Sequence, residues 1–175
     1  MFNFKPILCF FKKIYLLAIT VYIFLYTVFT IKLIFNGLLN NFSMIDGFLG
    51  GSNDLIILPE IKLFIFTILG SVLGGSVLNI VSFHKYIANK SFDYSHSWGF
   101  VFSPLLSSII GVMVFSLISS GLFVLTGTRL NVNDSLNSYF TFIAIGGISG
   151  YNWDIFIKKL NQLSRHTIEL DKKPE

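Results

Sequence analysis

The sequence predicts an all-α, polytopic membrane protein with four transmembrane helices and both termini cytoplasmic, and three observations carry that prediction. The run Leu63 to Phe83, LFIFTILGSVLGGSVLNIVSF, holds no charged residue in 21 positions. A helix of that length spans about 30 Å, the hydrocarbon thickness of a bilayer. Composition agrees: 53% of residues are hydrophobic and only 13% charged, with a mean hydropathy of +0.71, where a soluble domain carries about 25% charge. The basic residues, finally, divide unevenly between the two sides of a four-span chain. Lys5, Lys12, Lys13, Lys85, Lys90, Lys158, Lys159, Arg165, Lys172 and Lys173 fall on one side, and Lys32, Lys62 and Arg129 on the other. Cytoplasmic segments are enriched in Lys and Arg, so the first side is the inner one.

Residues 1–13, MFNFKPILCFFKK, mix lysines with phenylalanines and suit the headgroup region, with rings down and ammonium groups up. The transmembrane domain follows at 14–157. Its first helix is expected over 14–35, with Lys32 near enough to the far end to reach the interface. Tyr15, Tyr22 and Tyr26 recur at helical spacing, as packing and anchoring aromatics do. The loop from Asn36 to Glu60 contains Gly37, Gly47, Gly50, Gly51 and Pro59, and its apolar pieces, Phe48-Leu49 and Leu55 to Leu58, suit shallow docking at the interface. A second helix is expected over 61–83. The connection His84 to Ser97 holds Lys85 and Lys90 and closes at Trp98, a residue type enriched at the membrane surface.

The third helix is expected over 99–125, with Pro104 in its first turns, where a missing backbone donor costs least. A short polar loop, Thr126 to Asn137, leads to a fourth apolar run. By itself the run Ser138 to Tyr151 is too short to cross the core, so the fourth helix is extended to 138–157. Gly146 and Gly147 weaken it enough to permit a kink. Residues 158–175 form a basic extension in which Phe156, Leu160 and Leu163 alternate with Lys158, Lys159 and Arg165, an amphipathic pattern.

Several function classes are excluded or left without support. The single cysteine, Cys9, permits no intramolecular disulfide. The basic residues flank apolar spans and form no stripe with stacking aromatics, so no nucleic acid is expected as a partner. The N-terminal apolar stretch is too long for a signal-peptide core and lacks a small-x-small cleavage site. The expected surroundings are the lipid bilayer of a prokaryotic cytoplasmic (inner) membrane.

In lipid, helices gain no hydrophobic drive from meeting one another, so small residues that let backbones approach must supply the association. Gly70 and Gly74 form one G-x-x-x-G, Gly146 and Gly150 a second, and Gly75, Ser107 and Gly111 extend the small-residue faces. These seven residues are the expected packing positions of helices 2, 3 and 4. They serve association within the chain, or with a second copy or another membrane protein.

From about Leu73 onward the layout resembles a small uncharacterised family of prokaryotic four-helix integral membrane proteins. The residues that carry the resemblance are Gly74-Gly75, Tyr86-Ile87-Ala88-Asn89-Lys90, Ser97-Trp98, Pro104 and Gly146-Gly147-Ile148-Ser149-Gly150. Two departures stand out: Ser103 replaces a basic residue before the proline, and Tyr151 follows Gly150 where an acidic residue is usual, with Asp154 one turn later. The resemblance implies the four-helix fold and no particular activity.

Three polar residues, Asn79, Ser103 and Asp154, are expected near the inner leaflet on helices 2, 3 and 4. Intramembrane polar groups are costly unless paired, so such a cluster is a functional-site candidate; its simpler explanation is interhelical hydrogen bonding, with Asp154 solvated. His84, His96 and His166 lack metal-ligand spacing, the serines lack a nucleophile elbow, and Gly50-Gly51-Ser52 lacks the lysine of a phosphate loop. No catalytic, cofactor-binding or metal residues are therefore assigned, and no cofactor is expected. The leading expectation is a non-enzymatic membrane protein that assembles through its small faces as a pore-forming or membrane-acting effector. The alternative is a small transporter or interfacial membrane enzyme using Asp154 and Asn79.

Overall fold

The computed structural model describes residues 5–45, 58–89, 97–121 and 136–170, with side chains described over 14–162 of that set. Five long helices, besides a single helical turn at 43–45, make up the described part: α1 (Lys5–Asn40), α2 (Pro59–Ala88), α3 (Ser97–Ser119), α4 (Leu136–Tyr151) and α5 (Trp153–Leu170). Three of them, α1 over Ile14–Asn40, α2 and α3, are long and apolar enough to cross a membrane. The expected docking of Phe48-Leu49 and of residues 55–57 lies outside the described residues, as do His96, Lys90, the loop with Arg129 and Asp134, and the last five residues.

The centre of the molecule is α2. Of its most apolar stretch 56% is buried, against 17% in α1 and 22% in α3. Pro59 opens it at the first helical position and Glu60 sits in its first turn, where a missing donor is harmless and a negative charge is favourable. At its far end the Asn89 N–H donates to the Lys85 carbonyl at 3.0 Å. The helix is two residues longer at its start and five longer at its end than the expected 61–83, because hydrogen bonding continues past the point where charge begins.

Contacts along α2 fix the direction of every neighbour. Ile19 and Ile23 of α1 join Phe83 of α2 and Phe100 of α3 in one apolar cluster. Ile34 and Phe42 join Phe66 and Leu69 in another, flanked by Tyr139 and Ile143 of α4. Thus α1 and α3 run antiparallel to α2, whereas α4 runs parallel to it. The start of α1, the end of α2, the start of α3 and the end of α4 share one end of the bundle, the end rich in lysine.

The third helix, expected over 99–125, runs Ser97–Ser119 and closes in a turn in which the Gly121 N–H donates to the Ile118 carbonyl at 3.0 Å, with Gly121 at φ 74°. Two further boundaries differ for definite reasons. Residues 5–13 do not form a separate segment but begin a single helix of 36 residues that runs to Asn40. That helix is about 54 Å long. It ends at two left-handed residues, Asn41 (φ 49°) and Phe42 (φ 62°). A bulky residue in that region costs about 1–2 kcal/mol, and here full burial of the ring, worth about 1.5–3 kcal/mol, offsets it. The Phe42 ring lies over Gly37, where a Cβ would collide with it, and 4.9 Å centroid to centroid from Phe66. Asn36 holds the turn, accepting at Oδ1 from the Met44 N–H (3.2 Å) and donating from Nδ2 to the Ser43 hydroxyl (3.3 Å).

The second difference is in the fourth helix. It does not continue unbroken to Ile157; α4 stops at Tyr151 after 16 residues, and α5 starts at Trp153. The interruption falls at Asn152, not at the Gly146-Gly147 pair. There the Asn152 side chain donates from Nδ2 to the Ile148 carbonyl at 3.1 Å, the same carbonyl that receives its backbone N–H at 3.0 Å. Side-chain competition of this kind disturbs helix geometry. In α3, Pro104 is the eighth residue rather than a first-turn one, so it removes a bond from within the helix ladder.

Candidate functional site

Where α2 meets α4, glycine faces glycine. A Cβ on Gly70 would collide with the Ile143 carbonyl, one on Gly74 with that of Gly147, one on Gly146 with that of Thr67, and one on Gly150 with that of Ser71. All are backbone atoms, which have no rotamer with which to yield. The G-x-x-x-G of α2 and that of α4 therefore interdigitate in parallel register. Across the other side of α2, a Cβ on Gly111 of α3 would come within 2.7 Å of the Ile68 Cα. The Ser71 hydroxyl donates to the Ser107 carbonyl at 2.6 Å. All seven small residues named from the sequence are buried; six lie at these contacts, and the seventh, Gly75, faces the Ser107 side chain.

Of the three polar candidates the structure brings two together. Asn79 and Ser103 both line a cavity of about 450 Å³ between α2, α3 and the end of α4, along with Ser82, Tyr86, Ser107 and Trp153. Asn79 donates from Nδ2 to the Tyr26 hydroxyl of α1 at 2.8 Å, a bond the sequence did not reveal because the partners are 53 residues apart. Tyr22 similarly donates to the Val101 carbonyl of α3 at 3.1 Å. Asp154 is not among the lining residues. It lies on the first turn of α5, exposed, in an ion pair with Lys158 at 2.9 Å.

The cavity begins at Gly75, midway along α2, and reaches Tyr86 near its lysine-rich end. Beyond Gly75 the helices are in backbone contact at Gly74, Gly111 and Gly146, so the cavity is blind. Its mouth includes the exposed Phe102 and Trp153. Among the described residues the lining contains no Asp, Glu, Lys, Arg or His. Of the lining serines, the sequence marked Ser103 as a polar candidate and Ser107 as a packing position, helped by the recurrence of Ser103, Ser107 and Gly111 four apart. Ser82 was missed, because a lone serine in an apolar helix carries no such spacing.

A second hollow, of about 440 Å³, lies along the outer edge of the α2–α4 contact and is lined by Leu73, Val77, Ile143, Ile148 and their neighbours. It is almost entirely apolar. Among the described residues no three His, Cys, Asp or Glu side chains come together as metal ligands would. His84 is exposed at the end of α2. Comparison of the chain with family models, with curated proteins and with solved structures finds no match.

Proposed function

We propose that the chain is a non-enzymatic integral protein of a prokaryotic inner membrane. In this reading it crosses the membrane four times with both termini in the cytoplasm, and its small-residue faces assemble a rigid unit of α2, α3 and α4. The observation that carries the reading is the interlocked pair of G-x-x-x-G faces, which spends the most adhesive surface of the chain on its own fold. Orientation draws support from the shared lysine-rich end of α1, α2, α3 and α4. A 16-residue α4 reaches about 24 Å, and Trp153 with the amphipathic α5 suits the boundary where it emerges.

Between a pore and an effector that acts by binding in the membrane, the geometry favours the second. A water path through one copy would have to part helices whose backbones touch at Gly74, Gly111 and Gly146. The faces left for a membrane partner or a second copy are the outer sides of α1 and α3, where Phe24, Leu25, Phe29 and Leu105 are exposed. Liposomes carrying purified protein are expected to retain a small entrapped dye at high loading. Dye release that scales with protein would overturn this choice in favour of the pore.

The enzyme or transporter reading through Asp154 and Asn79 has less support, since one residue is at the cavity and the other is outside it, paired and exposed. Asp154→Asn is expected to leave any cellular phenotype of the chain unchanged. Loss of that phenotype would revive the reading.

A further inference from the structure

Most hydroxyls in these helices return to a carbonyl three or four residues back, as those of Thr67, Ser76 and Ser108 do. In lipid that is the default, because no water is present to satisfy them. Ser107 breaks the pattern. It is only 4% exposed, yet its hydroxyl makes no hydrogen bond among the described residues. No fully enclosed side-chain nitrogen or oxygen among those residues lacks a partner, so this hydroxyl must be reachable from the cavity it lines. The Ser82 and Ser103 hydroxyls on the same lining are likewise unpaired among the described residues. Gly75 draws two of them together: a Cβ there would collide with the Ser107 hydroxyl and lie 3.7 Å from that of Ser103.

We infer that this cavity binds an uncharged membrane amphiphile by a head bearing carbonyl or hydroxyl oxygens, its hydrocarbon tail remaining in the lipid. Three features select that chemistry. Among the described residues the inner end offers hydroxyl donors and the Asn79 amide and no charged side chain, and a charged head buried against them would lose its hydration with nothing there to replace it. The walls, Leu78, Phe100 and Leu106, are apolar, and about 450 Å³ falls within the range of small-molecule sites. The mouth lies at the Trp153 and Phe102 end, where a molecule already in the leaflet can enter head first. A prenylated quinone and a diacylglycerol share this head chemistry. The inference goes beyond the effector reading and needs only that the chain sits in a membrane.

The test uses the full chain in detergent with Trp98→Phe, which leaves Trp153 at the mouth as the only tryptophan. Decylubiquinone is the first probe, because a quinone quenches indole fluorescence on contact. Saturable quenching is expected, weakened roughly tenfold by Ser107→Val or by Ser103→Val, the scale of one lost hydrogen bond. Ser103→Thr, which keeps the hydroxyl, should restore it. Dioctanoylglycerol, added as a competitor, separates the two sources: relief of quenching admits both heads, and no relief assigns the site to the quinone type. If decylubiquinone does not saturate, dioctanoylglycerol protection of a Ser103→Cys thiol from alkylation assigns the diacylglycerol type. The inference is overturned if neither probe gives saturable behaviour, if Ser103→Val and Ser107→Val bind as wild type, or if phosphatidylglycerol competes equally well. Should Ser107→Val fail to fold, the half-buried Ser103→Val carries the comparison by itself. Dye retention in liposomes is unaffected by any of these outcomes, so failure here is distinct from failure of the effector reading.

Discussion

Gly74 and Gly147 are opposed across the α2–α4 contact, and the structure gives them different tolerances. A Cβ on Gly74 meets backbone, whereas one on Gly147 would rest 3.5 Å from the Gly70 carbonyl, an ordinary van der Waals distance. Gly74→Ile is therefore expected to force α2 and α4 apart and destabilise the bundle by about 1–3 kcal/mol or more, while Gly147→Ala stays within about 1 kcal/mol of wild type. Thermal unfolding in detergent checks both, and equal melting temperatures for all three proteins would refute the contrast. A second prediction concerns the Asn79–Tyr26 bond. Interhelical hydrogen bonds in membranes average about 0.6 kcal/mol and reach about 1.7, so a double-mutant cycle of Asn79→Leu with Tyr26→Phe should return a coupling energy in that range. At this scale the sequence was half informative. It marked the seven small residues by spacing, but the partner of Asn79 and the unpaired state of Ser107 depend on helices distant in the chain.

At the level of elements, the end of α1 and the break after α4 are where local and tertiary preferences meet. Nothing in the local sequence favours a left-handed Phe42; it is held there by its pocket against Gly37 and Phe66. Phe42→Ala should cost about 3–5 kcal/mol, the range for emptying a buried aromatic site, read as a lowered midpoint of unfolding. The break at Asn152 depends on a side-chain bond to Ile148. Asn152→Leu removes that competitor and should let α4 and α5 join as one helix. Spin labels at Thr141→Cys and Gln162→Cys, with Cys9→Ser, would then move toward the about 31 Å expected for 21 residues of straight helix. A distance unchanged from the protein with Asn152 intact would show that the break has another cause. The sequence placed a single fourth helix over 138–157 with a kink permitted at Gly146-Gly147, whereas the structure starts it at Leu136 and breaks it at Asn152. Glycine weakens a helix by about 1 kcal/mol in isolation, yet here Gly146 and Gly150 are clamped against α2, and the weak point passes to the first unclamped polar residue beyond them.

For the whole molecule, the direction of each helix is a consequence of chain order and contact. With α1 and α3 antiparallel to α2, and α4 parallel to it, Lys5, Lys12 and Lys13 of α1, Lys85 of α2 and Lys158 and Lys159 of α5 fall toward one end, and the proposed topology assigns that end to the cytoplasm. Single cysteines introduced by Ser52→Cys and Asn133→Cys into a Cys9→Ser chain should react with a membrane-impermeant maleimide in intact cells. Lys173→Cys should react only after the membrane is opened. Labelling of Lys173→Cys in intact cells would refute the proposed topology, through its orientation or its count of crossings.

What the sequence determined by itself follows from short-range physics. The apolar runs, their lengths and their glycine spacings report on helices and on the surroundings those helices require, because burial in lipid acts on each segment separately. What only the tertiary structure decided is which small face meets which. The two G-x-x-x-G faces suit each other or a second copy equally well as text, and pairing within the chain was settled by the parallel placement of α2 and α4 around a shared backbone contact. The cavity is the complement of that choice: where Gly75 and Gly150 leave the helices without side chains to fill the space, three serines are left facing a hollow that no segment could specify alone.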